Sequence, residues 1–241
     1  MKTVIAISCT IPFHQVYGYI ELATTLLKSI LKNNPGFDLD FYVITNDSFK
    51  EEWKEEFHKI YDKVKFWIVD EELYHKNGKH NVRYYSIECF NLPVDRIIFT
   101  GADVLCLNSL DDLLALTCDM GMGREKRRPE QFSNGTMVIG KKYINKETYR
   151  SLLAADFKHV KGVYGSDMKH YNCFFKDQIT EIEHRFNVVT TEVGFTPLSR
   201  AVFLHFVYKT NASRITPEVL ALWKSYRDLK PEDLRDKRKA G

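Results

Sequence analysis

The sequence predicts an α/β fold: a mostly parallel central sheet flanked by helices, in a single domain. Three observations carry this. Apolar strand patterns alternate with amphipathic helix patterns through the first 70 residues, the order required by a parallel sheet with crossover helices. A later strand pattern, DRIIFT, runs straight into Gly101-Ala102-Asp103, so polar residues leave the carboxyl end of a strand where open α/β sheets bind ligands. Finally, 241 residues with 44% hydrophobic and 28% charged side chains suffice for one large core without disulfide or metal staples, and exclude collagen-like, low-complexity and disordered classes.

In chain order, residues 3–8 are an apolar strand. Residues 19–32 set Ala23, Leu26, Leu27, Ile30 and Leu31 on one helical stripe, which Pro35-Gly36 ends. A strand at 39–45 follows. Ser48 and Glu51 have capping-box spacing and open a helix with Trp53, Phe57, Ile60 and Tyr61 inward, before a third strand at 64–69. Residues 71–80 read as a loop and 82–91 as a helix halted by Pro93. After the strand at 96–100, Ser109 to Asp112 start a short helix. Strands at 119–123 and 137–140 bracket a basic loop, and helices at 146–155 and 167–175 follow. Residues 201–207 are a last apolar strand. Thr216-Pro217-Glu218 caps an amphipathic helix reaching Trp223 and Tyr226. The domain is expected to span 1–230, with 231–241 a frayed charged tail.

Charge is unevenly spread: residues 1–75 hold eight Lys and no Arg against twelve Asp and Glu, so the rest of the chain is basic. Between Arg124 and Lys146 there are seven Lys and Arg and only two Glu, a stretch that would suit an anionic partner, DNA included. The five cysteines (Cys9, Cys89, Cys106, Cys118, Cys173) are odd in number and widely spaced, which argues for reduced, core-filling thiols rather than a zinc site or disulfide framework. No run reaches 18 apolar residues and the first apolar stretch is too short for a signal-peptide core, so the expected location is cytoplasmic. The Asn-x-Ser/Thr triplets at Asn134 and Asn211 are accordingly expected to go unused.

The residues following the strands that end at Ser8, Thr100 and Val207 should converge on one crevice. That singles out Cys9 and Thr10, Gly101 to Asp103, and His205 to Lys209. Position alone leaves two readings for each: Asp beside Gly also suits an ordinary turn, and a histidine in VFLHFV also suits a hydrogen-bonded core site.

Four segments then carry a resemblance. DRIIFTGADVLCLNSLDDLLAL is similar to the segment of glycogenin-like family-8 retaining glycosyltransferases in which a strand leads to D-A-D. FSNGTMVIG resembles their F-N-A-G block, SDMKHYNCFF their D-Q-D-x-L-N segment, and FLHFVYKTN their closing H-(Y/F)-x-G-x-x-K-P-W. The four occur in the family's order across roughly 3–210. The resemblance implies a GT-A fold, Rossmann-like, which moves a sugar from a nucleotide-diphosphate sugar, usually a UDP-hexose, with retained configuration. It implies Mn²⁺ or Mg²⁺ bridging the diphosphate, held by Asp103 and His205, with Lys209 and Arg83 facing the phosphates. Ser8, Cys9 and Thr10 would hold base and ribose, and Ala102 would border the donor. Asn134 and Gly135 would line the donor sugar, and Asp167 would contact its hydroxyls, with Ser166 where the family often has Gln.

This chain departs from the pattern. Gly101 replaces the first carboxylate of D-x-D, Ser133 replaces an Asn, Lys209 comes early, and no P-W follows it. Cys9 or Thr10 stands where an acidic base-reading residue is common. Residues i and i+2 of an extended segment point the same way, so one arm of the expected metal site is missing. Two other readings therefore stay open: a non-catalytic GT-A-like binding protein, and a metal-independent transferase using Arg83, Lys209 and the basic stretch. The candidate acceptors are anionic: a modified phage DNA base, a lipopolysaccharide core or a cell-wall polymer.

Overall fold

The computed structural model describes residues 1–10, 18–76, 79–126, 128–155, 167–206 and 216–235. Strand β1 (Thr3–Ser8) leads to helix α1 (Tyr19–Asn33), strand β2 (Asp40–Thr45), helix α2 (Glu51–Ile60) and strand β3 (Val64–Ile68). A small hairpin of β4 (His75–Lys76) and β5 (Lys79–His80) precedes a 3₁₀ helix, Val82–Asn91. Strands β6 (Arg96–Thr100) and β7 (Val104–Cys106) flank the Gly-Ala-Asp turn. Then come α3 (Asp111–Ala115), β8 (Met120–Glu125), β9 (Arg128–Gly140), α4 (Lys146–Ala154) and α5 (Asp167–Phe175). Short strands β10 (Thr180–Ile182), β11 (Val188–Val189) and β12 (Phe203–His205), and helices α6 (Pro217–Arg227) and α7 (Pro231–Arg235), complete the described chain.

The fold class is the expected one. Seven strands form a central sheet in the order β10-β8-β9-β6-β1-β2-β3. Strands β6, β1, β2 and β3 run parallel, as does β10 beside β8, while β9 is antiparallel to both its neighbours. In β1 every residue from Val4 to Ile7 is buried because both faces of the sheet are covered. Ile5 and Ile7 face the layer of α1 with Leu26, Leu27 and Ile30, while Val4 and Ala6 face Tyr85, Phe90 and Phe175 on the other side. The strand period of two thus divides one apolar run between two cores. A second sheet, β11-β12-β7, stands at the carboxyl end of the first. None of the described helices is long and apolar enough to cross a membrane.

Four expectations are corrected. Residues 82–91 wind as a 3₁₀ helix, not an α-helix: VRYYSIECFN is poor in strong α-helix formers and tertiary contacts dictate its path. Its buried Glu88 accepts hydrogen bonds from Tyr74 and Tyr149 hydroxyls at 2.6 and 2.7 Å and from Trp67 Nε1 at 2.9 Å. Next, the basic stretch is no loop. Strands β8 and β9 pair antiparallel almost to the tip, Glu125 opposite Arg128, and the 13 residues of β9, at about 3.3 Å each, separate the tip from Lys141 and Lys142 by ~40 Å. Arg124 is also bound to Glu181 at 2.8 Å and Lys141 to Asp95 at 2.9 Å. The stretch is therefore not one patch of free cations.

The last strand is shorter than 201–207, because only Phe203 to His205 find partners on β7; Val207 lies outside the described residues. The expected tail begins as helix α7, with Pro231 in its first turn, Asp233 Oδ2 accepting from Lys230 N at 3.0 Å, and Leu234 buried against the layer of α1 and α2. Its charges hid one apolar anchor.

Candidate active site

The residues that end β1 and β6 meet at a crevice of about 290 Å³. Ser8 and Thr10 reach it from β1 and Gly101, Ala102 and Asp103 from the turn after β6. Cys9 does not: it shares the side of β1 that carries Ile5 and Ile7, is fully buried, and burial pushes its thiol up to about 12. Its backbone N–H donates to Ile44 O at 2.9 Å.

Asp103 and His205 are brought together by the second sheet. Antiparallel pairing of β12 with β7 sets His205 opposite Val104, and Phe206 N donates to Asp103 O at 2.8 Å. The side chains then converge, Asp103 Oδ1 lying 3.3 Å from His205 Nε2. The other ring nitrogen, Nδ1, lies 3.1 Å from Asn187 Oδ1, and Asn187 Nδ2 donates to Ser133 Oγ at 3.0 Å. With its Nδ2 so occupied, Asn187 turns its oxygen toward Nδ1, an acceptor suited to the tautomer that would leave Nε2 able to bind a metal ion beside Asp103.

Gly135 makes this approach possible. A Cβ there would stand 2.6 Å from Asn187 Oδ1 and 2.7 Å from His205 Cε1. Its carbonyl also accepts from Gly101 N at 3.1 Å and Thr100 Oγ1 at 3.0 Å, which pins β9 to the turn.

Opposite lies Asp167, the first residue of α5. Its Oδ2 accepts from Asn134 Nδ2 at 2.7 Å and its Oδ1 from Met168 N at 2.9 Å. Burial raises its pKa; those two hydrogen bonds and the charge of Arg83 pull the other way without cancelling the rise. Arg83, Asn134 and Asp167 all border the crevice. Lys209 and Ser166 lie outside the described residues.

Sequence reasoning missed Tyr19, Val82 and Phe99 on the crevice wall, and Asn187 and Ser133 behind His205. Phe99 lay in the strand pattern and Ser133 in a quoted motif; Asn187 carried no local signal.

Among the described residues no group of three or more His, Cys, Asp or Glu converges on one point. Among the described residues, Asp103 and His205 could give a dication one oxygen and one nitrogen, and such an ion would complete its shell from a ligand's oxygens. A diphosphate meets that need. A side chain at 101 would enter the same place, its Cβ 2.8 Å from Asp103 Oδ1 and 3.6 Å from His205 Nε2.

The profile of the glycosyl transferase family 8 matches residues 10–210. The chain belongs to that family. Its fold is shared by solved glycosyltransferases. Glycosyltransferase GlyE of Streptococcus pneumoniae TIGR4 superposes with a TM-score of 0.75 at 16% identity, over 98% of this chain and 63% of the other. This family 8 chain thus spans under two thirds of that protein. Galactosyltransferase LgtC, solved with donor and acceptor sugar analogs, gives 0.72 at 17% identity over 98% and 100%. Mouse xyloside xylosyltransferase 1 gives 0.60 at 14% over 90% and 100%. No curated protein matches the chain.

Proposed function

We propose that this family 8 protein transfers a hexose from a UDP-sugar to an acceptor with retained configuration, with Mn²⁺ or Mg²⁺ held between Asp103, His205 and the donor's diphosphate. The observation that carries this reading is the 3.3 Å convergence of Asp103 Oδ1 and His205 Nε2 at the carboxyl end of the sheet. The bound dication supplies positive charge to the departing diphosphate. Arg83 adds a second positive charge from the opposite wall, and Lys209 a third. Ser8 and Thr10, with the ring of Tyr19, receive base and ribose.

Asn134 gives its amide hydrogen to Asp167, which fixes the carboxylate so that it accepts from sugar hydroxyls. Asp167 and Ser166 are our candidates for the groups beside the anomeric carbon. The buried free thiols of Cys9, Cys89 and Cys106 suit a reducing compartment, and we place the protein in the cytoplasm. The acceptor we propose is anionic, a lipopolysaccharide core or cell-wall polymer; the dispersal of the basic stretch leaves DNA least supported.

The test is a thermal-shift and hydrolysis screen of nucleotide sugars, UDP-glucose first, with Mn²⁺, Mg²⁺ or EDTA. We expect a metal-dependent rise in melting temperature following RT ln(1 + [L]/Kd), slow release of UDP, and loss of both in Asp103→Ala. Activity indifferent to EDTA would select the metal-independent transferase. Gly101 favours a second reading, a non-catalytic nucleotide-sugar binder, which a shift without turnover would select.

A further inference from the structure

We infer that a second groove, beside the crevice, binds an anionic saccharide and seats the acceptor; the seating rests on the transferase reading, the binding does not. The groove encloses about 590 Å³ between the 3₁₀ turn His184–Phe186 and the segment from Phe195 to Arg200, with Lys126 at the tip of the β8–β9 hairpin. The groove approaches the crevice through one short stretch of chain: Arg185 borders the groove, and two residues on, Asn187 contacts His205, which lines the crevice. Two residues of chain span about 7 Å, so a molecule in the groove lies next to the place where the sugar leaves its donor.

The chemistry of the groove is specific. Phe195 is 62% exposed and is the only large aromatic side chain exposed among the described residues. An open aromatic face in a polar groove fits the apolar face of a pyranose ring, with charged groups around it to take the hydroxyls. Those charges do not balance. Glu181 is bound to Arg124 at 2.8 Å and Glu183 to Arg185 at 2.9 Å, so the carboxylates of the wall are already matched. Lys126 and Arg200 border the groove with no ion pair among the described residues. A sugar bearing a carboxylate or phosphate satisfies both the ring and the cations.

The groove is also held in shape. His184 is fixed at both ring nitrogens, Nδ1 at 2.8 Å from Thr196 Oγ1 and Nε2 at 2.9 Å from Glu192 Oε2. This buried contact ties one wall to the other, and Phe195 N donates to Glu192 O at 2.9 Å. The aromatic ring is therefore presented on a fixed backbone, which lowers the ordering cost of binding.

The experiment measures equilibrium binding to the full chain of four probes: trigalacturonate, maltotriose phosphorylated on a 6-hydroxyl, neutral maltotriose and a 20-base-pair DNA duplex. One anionic non-nucleic probe should bind in a salt-dependent manner. Its affinity should fall about tenfold or more in Phe195→Ala and in Arg200→Glu, two exposed positions whose substitution leaves the core intact. Preference for trigalacturonate or for the phosphorylated maltotriose identifies the anion as carboxylate or phosphate. Equal binding of maltotriose, unchanged binding in both variants, no binding of either anionic probe, or tighter binding of DNA through the same residues would each overturn the inference. UDP release from UDP-glucose without acceptor separates the two readings. If it persists in both variants while no saccharide binds, the groove inference alone fails. If wild type binds saccharide but never releases UDP, the groove stands and the transferase reading fails.

Discussion

Asn187 lies between two side chains that the sequence keeps far apart: its Oδ1 is 3.1 Å from His205 Nδ1 and its Nδ2 is 3.0 Å from Ser133 Oγ. Asn187 is the hydrogen-bond partner of Nδ1, while Asp103 Oδ1 lies 3.3 Å from Nε2 on the other side of the ring. Asn187→Ala should weaken Mn²⁺ binding in the presence of UDP by about 10–100-fold, the range for the loss of a group that orients a ligand. Asn187→Asp, which still accepts from Nδ1, should restore part of it. Titration followed by electron paramagnetic resonance reads this directly, and equal affinity in all three proteins would remove Asn187 from the site.

Gly101→Asp should strengthen Mn²⁺ binding. The new Cβ would crowd Asp103 Oδ1 at 2.8 Å, but that atom ends a side chain able to turn aside, and a second carboxylate then joins Asp103 and His205. The same titration checks this; weaker binding would mean that Asp103 cannot make room.

Gly135→Ala should destabilise the protein by about 1–3 kcal/mol through overpacking, because its methyl would meet Asn187 and His205 rather than open space. At this chain length that is a fall in Tm of roughly 2–12 °C, accompanied by loss of metal-dependent donor binding. Scanning calorimetry provides the first reading and the UDP-glucose shift the second.

The raised pKa of Asp167 has a pH signature. A carboxyl whose folded value lies above its unfolded one contributes most below the ordinary carboxylate pKa and loses that contribution as pH rises through the folded value. The Tm of wild type minus that of Asp167→Asn should therefore decline from about pH 3.8 upward. Subtracting the variant cancels the titration of the groups common to both proteins, and the hydrogen bond that the amide loses enters as an offset. A difference that grows with pH would show the opposite shift.

Leu234→Ala should cost about 2–5 kcal/mol, the usual range for a truncated core leucine, since Leu234 is only 2% exposed. Chemical denaturation measures it. A neutral result would return 231–235 to the status of a frayed tail.

The alternation of strands and helices was legible from residue 3 onward because it depends on near neighbours: a period of two in β1 and a stripe in α1 are properties of a few consecutive side chains. Asp103 was legible for the same reason, as an acid just beyond a buried strand. The path of residues 82–91 was not, since the buried hydrogen bonds of Glu88 come from Tyr74, Tyr149 and Trp67, on other segments. Nor was the antiparallel course of β9, which the basic residues near its two ends disguised as one patch.

By itself the sequence determined the α/β class, the strand ends that would face a ligand, and the motifs that resemble family 8. The tertiary structure alone decided which face of β1 meets the crevice, leaving Cys9 in the core. It also decided that β12 would pair with β7 so that His205 stands against Asp103, with Asn187 behind it and Gly135 leaving room. Those relations depend on pairing between strands about a hundred residues apart, and side-chain periodicity, which reaches only a few residues along the chain, carries no information about them.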